Sequence, residues 1–340
     1  MNTERANKKY AAKVSHSTSI SVSIIFCICC ILSLFLVVTA CTTQTSTSPT
    51  SVAQLQSNQS QKMTIAATFY PLYDMTRTIA GDAANVYSVV PLTAEPHEYD
   101  SSPQDLIRLD NANVFVTLGV QKGFAPYEER LIETVAKNIT IIGAGDGIQQ
   151  INPNGEFGDV SDDLDYSGLD PHIWLSPKNA IIMATNIRDG LIKADPKNAQ
   201  VYEQNGDKYI ADLKLLDAEY TVDLNVSNCS NHIILAAHDA YSYMARDYNF
   251  KSYYIDGLSP EQEPTPQQIA RLIDVAKQYN LTYVMFEKTV DPKISNVIAS
   301  QIGATTLAMS PFESQENAND TFISVMQANL QSVRTAMDCS

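Results

Sequence analysis

Three histidines stand in settings that suit metal coordination. They are His97 in Glu95-Pro96-His97-Glu98, His172 in Asp170-Pro171-His172-Ile173-Trp174, and His238 in Ala237-His238-Asp239-Ala240. The sequence holds five histidines, and the other two, His16 and His232, lie in no comparable setting. Imidazole is the commonest side-chain metal ligand. Gaps of 75 and 66 residues separate the three, which excludes a local zinc finger with ligands a few residues apart. A fourth donor would close the site. Glu313 lies just beyond the last predicted strand, in Met309-Ser310-Pro311-Phe312-Glu313. Glu287, after the predicted strand Tyr283–Phe286, competes with it, and water is the third option. Three imidazoles with one carboxylate suit Zn²⁺, whereas Mn²⁺ prefers more oxygen. A ligating histidine normally donates its other N–H to an oxygen, so Asp170, Asp239 and Glu98 are candidate partners. A zinc hydrolase would need an open metal position and a free base, for which Glu313 or Glu287 could serve. No His-Glu-x-x-His helix accompanies them.

Ligands this far apart require a fold that brings strand ends together. From Met63 to the C-terminus strands alternate with helices. The first half reads as strands Thr64–Thr68, Val86–Val90, Val114–Leu118 and Thr140–Ile142, with helices Leu72–Ala80, Pro103–Asp110 and Glu128–Lys137 between them. The second half repeats the pattern with strands Ile233–Ala237, Ser252–Ile255, Tyr283–Phe286 and Thr305–Met309. Such alternation predicts parallel sheets joined by helical crossovers, an α/β fold. Two lobes are expected, because so long a body exceeds one core of ordinary size. Residues 63–195 form the first lobe and 225–340 the second. Pro196 to Leu224 reads as one long helix joining them, long enough at 1.5 Å per residue to span roughly 40 Å. Residues 143–171 form an acidic loop containing Glu156, Asp159, Asp162, Asp163 and Asp165. In open α/β sheets ligands bind at the carboxyl ends of strands. His97 and His238 follow strands, and His172 ends the acidic loop. The site is therefore expected in the cleft between the lobes.

The N-terminus bears on location. Arg5, Lys8, Lys9 and Lys13 precede an apolar run from Ile24 to Val38, which ends in Val38-Thr39-Ala40-Cys41. Basic region, apolar core and small residues are the features of a secretory signal. A cysteine directly after the small residues predicts a lipoprotein signal over 1–40, with lipid on Cys41. Residues 41–62 are rich in Ser, Thr and Gln, and read as a flexible tether. The chain carries a formal charge of −15, and residues 1–40 contribute +3, so the remainder carries −18. That surface repels nucleic acid and suits a cationic ligand. Of six cysteines, Cys229 and Cys339 lie outside the signal region and the lipidation position. In an oxidising compartment they either pair or remain free thiols.

Four segments recur together in a known family: Ala67-Thr68-Phe69-Tyr70-Pro71-Leu72-Tyr73-Asp74, Glu95-Pro96-His97-Glu98-Tyr99, Asp170-Pro171-His172-Ile173-Trp174-Leu175-Ser176-Pro177 and His238-Asp239-Ala240. In this order they resemble the metal-binding receptors of bacterial ABC importers, most closely the zinc-uptake type. The resemblance covers nearly everything from Met63 onward. It implies two α/β lobes joined by a rigid helix, with the metal held between them by His97, His172 and His238. It further implies a non-enzymatic, monomeric, lipid-anchored protein on the extracytoplasmic face that passes Zn²⁺ to a membrane permease. An adhesin role is the other reading compatible with these residues. Manganese-type relatives commonly carry a carboxylate at the third position, so His238 favours zinc. Zinc-type members often have a histidine-rich loop before the Asp-Pro-His motif; here that loop is acidic. The family's last ligand is often an aspartate near Ser310, and here the Pro-x-Glu pattern makes Glu313 its counterpart.

Overall fold

The computed structural model describes residues 62–97, 99–119, 126–135, 139–151, 169–257, 264–289 and 291–340. The expected signal, Cys41, the tether up to residue 61, Glu98 and positions 152–168 of the acidic loop lie outside these residues.

The first half builds one four-stranded sheet. Its strands are β1 (Met63–Ala67), β2 (Ala84–Ser88), β3 (Val114–Thr117) and β4 (Thr140–Gly143). Their order is β2-β1-β3-β4, and every pair is parallel. Both central strands are apolar runs, and all four residues of β3 are buried, as a sheet covered on both faces requires. The crossovers are α1 (Tyr70–Ala80), α2 (Pro103–Asp110) and α3 (Pro126–Thr134). Ser102 starts α2 with a reciprocal cap: its hydroxyl accepts the Asp105 N–H at 3.3 Å while the Asp105 carboxylate accepts the Ser102 N–H at 2.8 Å. Pro103 takes the first helical position, where its missing N–H costs nothing.

Two long helices follow, α4 (Pro177–Ala194) and α5 (Ala199–Asp223). The sequence suggests one helix from Pro196, but residues Pro196–Asn198 form a separate 3₁₀ turn. Asp195 anchors that turn, accepting from Asn198 Nδ2 at 2.7 Å and from the Tyr202 hydroxyl at 2.9 Å. The 25 residues of α5 span about 37 Å. Its buried stripe runs through Tyr202, Gly206, Tyr209, Leu213, Leu216 and Tyr220, alternating steps of four and three. Gly206 lets α4 approach closely; a Cβ there would lie 2.6 Å from the Arg188 side chain. Farther along, the Tyr220 hydroxyl donates to the Met326 carbonyl at 2.7 Å, fixing the same helix to the second half.

The second half contains β5 (Ile233–His238), α6 (Ser242–Tyr248), β6 (Lys251–Asp256), α7 (Pro266–Gln278), β7 (Tyr283–Phe286), α8 (Lys293–Ile302), β8 (Thr305–Ala308) and α9 (Phe322–Ala336). Its strands form two parallel pairs, β5–β6 and β7–β8, rather than one continuous ladder, with β5 lying beside β7. The halves therefore share a layout: first strand central, second outside it, third on the other side, fourth beyond.

One apolar core runs through both halves, from Ile65 and Trp174 through Leu213 and Tyr220 to Tyr241, Phe322 and Val333. Smaller clusters lie beneath the outer helices, around Phe115 and Leu131 in the first half and around Leu235 and Leu272 in the second. A continuous core between the sheets resists large hinge motion, because separating them would expose apolar surface at about 25 cal/mol per Å². Cys229 and Cys339 are joined by a disulfide that spans 110 residues. Among the described residues, no helix is long and apolar enough to cross a membrane.

Candidate metal centre

The strand ends supply the site. His238 is the last residue of β5. His97 lies in the connection after β2, and Glu313 in the connection after β8. His172 precedes the helical turn Ile173–Leu175, which leads through Ser176 into α4. One ligand atom from each of His97, His172, His238 and Glu313 falls within 4.8 Å of the others. Glu313 Oε1 lies 3.1 Å from His97 Nε2, 3.0 Å from His172 Nε2 and 3.7 Å from His238 Nε2. The Nε2 atoms of His97 and His172 are 3.2 Å apart. A tetrahedral Zn²⁺ with ligands at about 2.0–2.1 Å sets neighbouring donors about 3.3 Å apart. The separations among His97, His172 and Glu313, 3.0–3.2 Å, are close to such an edge, and His238 Nε2 stands farther off, 3.7 Å from Glu313. Two buried atoms of this cluster, His238 Nε2 and Glu313 Oε2, have no hydrogen-bond partner among the described residues. Buried polar atoms normally have one, and a cation coordinated at the centre would satisfy His238 Nε2.

Two carboxylates set the direction of the imidazoles. Asp170 Oδ1 accepts the His172 backbone N–H at 2.9 Å and lies 2.8 Å from His172 Nδ1. Glu287 Oε1 lies 2.6 Å from His238 Nδ1. A carboxylate at Nδ1 fixes the proton there and leaves the Nε2 lone pair facing the centre. Asp170 is itself held: the Tyr243 hydroxyl donates to its carbonyl at 2.8 Å.

The cluster is strongly polarised. Burial works to lower the His172 imidazole, but the Asp170 and Glu313 carboxylates outweigh it and hold its pKa up at about 9. Burial opposes the charge on His238 too, and Glu287 and Glu313 together raise it well above the ordinary histidine range. Glu313 would be pushed up by its burial, yet the imidazoles of His97 and His238 hold it well below the usual carboxylate range. The three buried groups thus favour an ionised carboxylate among cationic imidazoles when only protons are present, and a divalent cation would compete for the same lone pairs. His97 differs. Its side chain is 20% exposed, against 0% for His172 and His238.

Glu313 is aimed by its neighbours. Phe312, immediately before it, takes a left-handed conformation with φ 56°, which a bulky residue seldom adopts. Packing holds it there: the Phe312 ring lies 4.8 Å from Tyr70 and 5.6 Å from Phe322 between centroids. Asn329 fixes the start of the turn, accepting the Ser310 N–H at 2.9 Å and donating to the Ser310 carbonyl at 2.7 Å.

The structure brings together all four residues singled out as ligands, and places Asp170 on His172 as the sequence suggests. Asp239, the other candidate partner, accepts from the Ser242 hydroxyl at 2.9 Å through its carboxylate. Glu98 falls outside the described residues. Glu287, weighed as a competing ligand, braces His238 from behind. Its signal was its place past β7, but a strand order was needed to put β7 beside β5. Glu95 was not foreseen: its carboxylate accepts the His97 backbone N–H at 3.1 Å. Burial, reinforced by the charge of Glu313, raises the Glu95 pKa above the ordinary value.

Comparison with known proteins gives a family. Residues 65–336 match the family described as zinc-uptake complex component A, periplasmic (ZnuA). The zinc-binding lipoprotein AdcA of Streptococcus pneumoniae serotype 4 is 33% identical over 295 residues, which cover 83% of this chain and 58% of AdcA. The chain thus spans little more than half the length of that curated relative. The high-affinity zinc uptake system protein ZnuA of Bacillus subtilis is 28% identical over 82% of this chain and 89% of its own. Among solved structures, the Zn(II)-bound ZnuA-like domain of S. pneumoniae AdcA superposes with a TM-score of 0.69 at 32% identity, covering 82% of this chain and 99% of that one. The laminin-binding protein Lmb of Streptococcus agalactiae gives 0.71 at 27% identity, covering 82% and 100%. With the family match extending over most of the sequence, the chain belongs to the zinc-uptake complex component A (ZnuA) family.

Proposed function

We propose that this protein is an extracytoplasmic receptor that binds Zn²⁺ at His97, His172, His238 and Glu313 and delivers it to an ABC importer permease. The observation that carries this reading is the donor set itself: three imidazole nitrogens and a carboxylate oxygen that all lie within 4.8 Å of one another. Three nitrogens and one oxygen favour zinc over manganese. The names of the relatives support the same cargo, since those compared are a zinc-binding lipoprotein and a zinc uptake system protein. A hydrolase would need a carboxylate free to act as base. Glu313 faces three imidazoles and Glu287 is engaged with His238, so neither stands free.

Residues 63–195 act as the N-terminal lobe, 196–224 as the linker and 225–340 as the C-terminal lobe. Lipid on Cys41 and the tether over 41–62 would hold a monomeric body at the outer face of the membrane. Imidazoles and carboxylate replace the water shell of the ion, and binding expels the protons they carry. Elemental analysis with competitive metal titration of a fragment beginning near Met63 tests the reading. One tightly held Zn²⁺ per chain, with Mn²⁺ unable to displace it, is expected. Preference for Mn²⁺, or no stoichiometric metal, would overturn it.

A further inference from the structure

The connection carrying Glu313 belongs to the second half by sequence, yet it is fastened to the first. Trp174 Nε1–H donates to the Pro311 carbonyl at 2.8 Å. The Gln315 N–H donates to the Leu92 carbonyl at 2.7 Å. The Tyr70 hydroxyl donates to the Asp320 carbonyl at 3.0 Å, and the Phe322 N–H to Asp74 Oδ2 at 2.9 Å. Every partner in this set lies in the first half. Trp174 occupies the centre: it is buried, its ring lies 5.3 Å from that of His172 and 5.0 Å from that of Phe69. The contact with Pro311 lies two residues before Glu313, at the left-handed turn of Phe312.

We propose that Trp174 is a positioning residue for Glu313, its indole N–H holding the Pro311 carbonyl so that Glu313 moves as one body with His172. The proposal rests on the zinc reading above. The second half holds the same connection farther from Glu313, through Asn329, which bonds both backbone groups of Ser310. An outer partner of a metal ligand is typically worth 10–100-fold in affinity, and groups that act through one another give non-additive effects.

The test measures Zn²⁺ affinity by competition, and the visible spectrum with Co²⁺, for the wild type, Trp174→Phe, Glu313→Ala and the double variant. Phenylalanine keeps the ring contacts and removes the N–H. Trp174→Phe is expected to weaken zinc 10–100-fold and to shift the Co²⁺ spectrum toward that of Glu313→Ala. The double variant is expected to match Glu313→Ala within about 2-fold. Losses that multiply in the double variant, or wild-type affinity in Trp174→Phe, would overturn the proposal. Trp174 is the sole tryptophan, so its indole N–H exchange gives a second measurement without touching it. Zinc should slow that exchange in the wild type and not in Glu313→Ala; equal slowing in both, or none in the wild type, also overturns the proposal. Failure of the wild type to bind Zn²⁺ or Co²⁺ would instead sink the receptor reading and this inference with it.

Discussion

His172 and His97 face the same centre from opposite circumstances. His172 is fully buried, braced by Asp170 at Nδ1 and at its own backbone N–H, and followed directly by a helical turn. His97 is partly exposed and lies in a connection without strand or helix, and among the described residues no carboxylate backs its Nδ1 as Asp170 backs that of His172. Glu95 secures only its backbone. The contrast separates two properties of a receptor. Braced, buried donors are ordered before the ion arrives and so set affinity. A donor at the surface, with less to hold it, is where water and the ion can exchange, and it sets the rate of entry and loss.

That division can be broken by substitution. His172→Ala is expected to cause the largest loss of zinc affinity, on the order of 10³-fold or about 4 kcal/mol, as measured by competition with a chelator of known affinity. His97→Ala should cost less, on the order of 10²-fold, with most of the loss in a faster dissociation rate seen by stopped flow. Equal losses for the two alanine variants, with equal dissociation rates, would remove the distinction. Glu287→Gln keeps the size of the brace and removes its charge. It should cost about 10-fold, the lower end for an outer partner, and isothermal titration would resolve it. No change would mean that the backing of His238 is structural alone.

Acidity offers a gentler perturbation. The His172 pKa of the metal-free chain, about 9, stands above the ordinary histidine value. A raised pKa contributes stability that is complete below about 6.5 and is lost as pH rises through about 9. Zinc meets fewer competing protons over the same interval. The rise in melting temperature on adding zinc should therefore grow from pH 6.5 to pH 9. Calorimetry at a series of pH values would detect it, and a flat or falling zinc effect would contradict the assignment. The smallest effect on the site is expected from Cys229→Ser. The disulfide closes a 110-residue span, so its loss should cost about 2–4 kcal/mol of stability, visible in denaturant melts, while zinc affinity stays unchanged.

Much of this arrangement was legible in the sequence, for identifiable reasons. Strands such as Val114–Thr117 are uninterrupted apolar runs, and helix starts such as Ser102-Pro103 carry their own caps, so local chemistry fixes them. The three clustered histidines stand out because histidine is scarce here and each follows a turn or strand end. Asp170 was legible because it is two residues from His172. Glu287 as a brace was not, since 49 residues separate it from His238 and only the adjacency of β7 and β5 joins them. The fastening of the Glu313 connection to the first half was equally hidden. It runs through backbone carbonyls and a left-handed Phe312, which leave no periodic trace in residue types. The break between Pro196–Asn198 and the long helix was missed because Asp195 captures Asn198 and Tyr202 by side-chain bonds that compete with helix continuation.

Four protein donors, three nitrogens and one oxygen, are expected to surround the bound ion. X-ray absorption at the zinc edge of the loaded protein reads that shell. The expected shell is four-coordinate, with three imidazoles and one oxygen at about 2.0–2.1 Å, reduced by one oxygen or rearranged in Glu313→Ala. A shell with two imidazoles, or an unchanged spectrum in Glu313→Ala, would contradict the site described here.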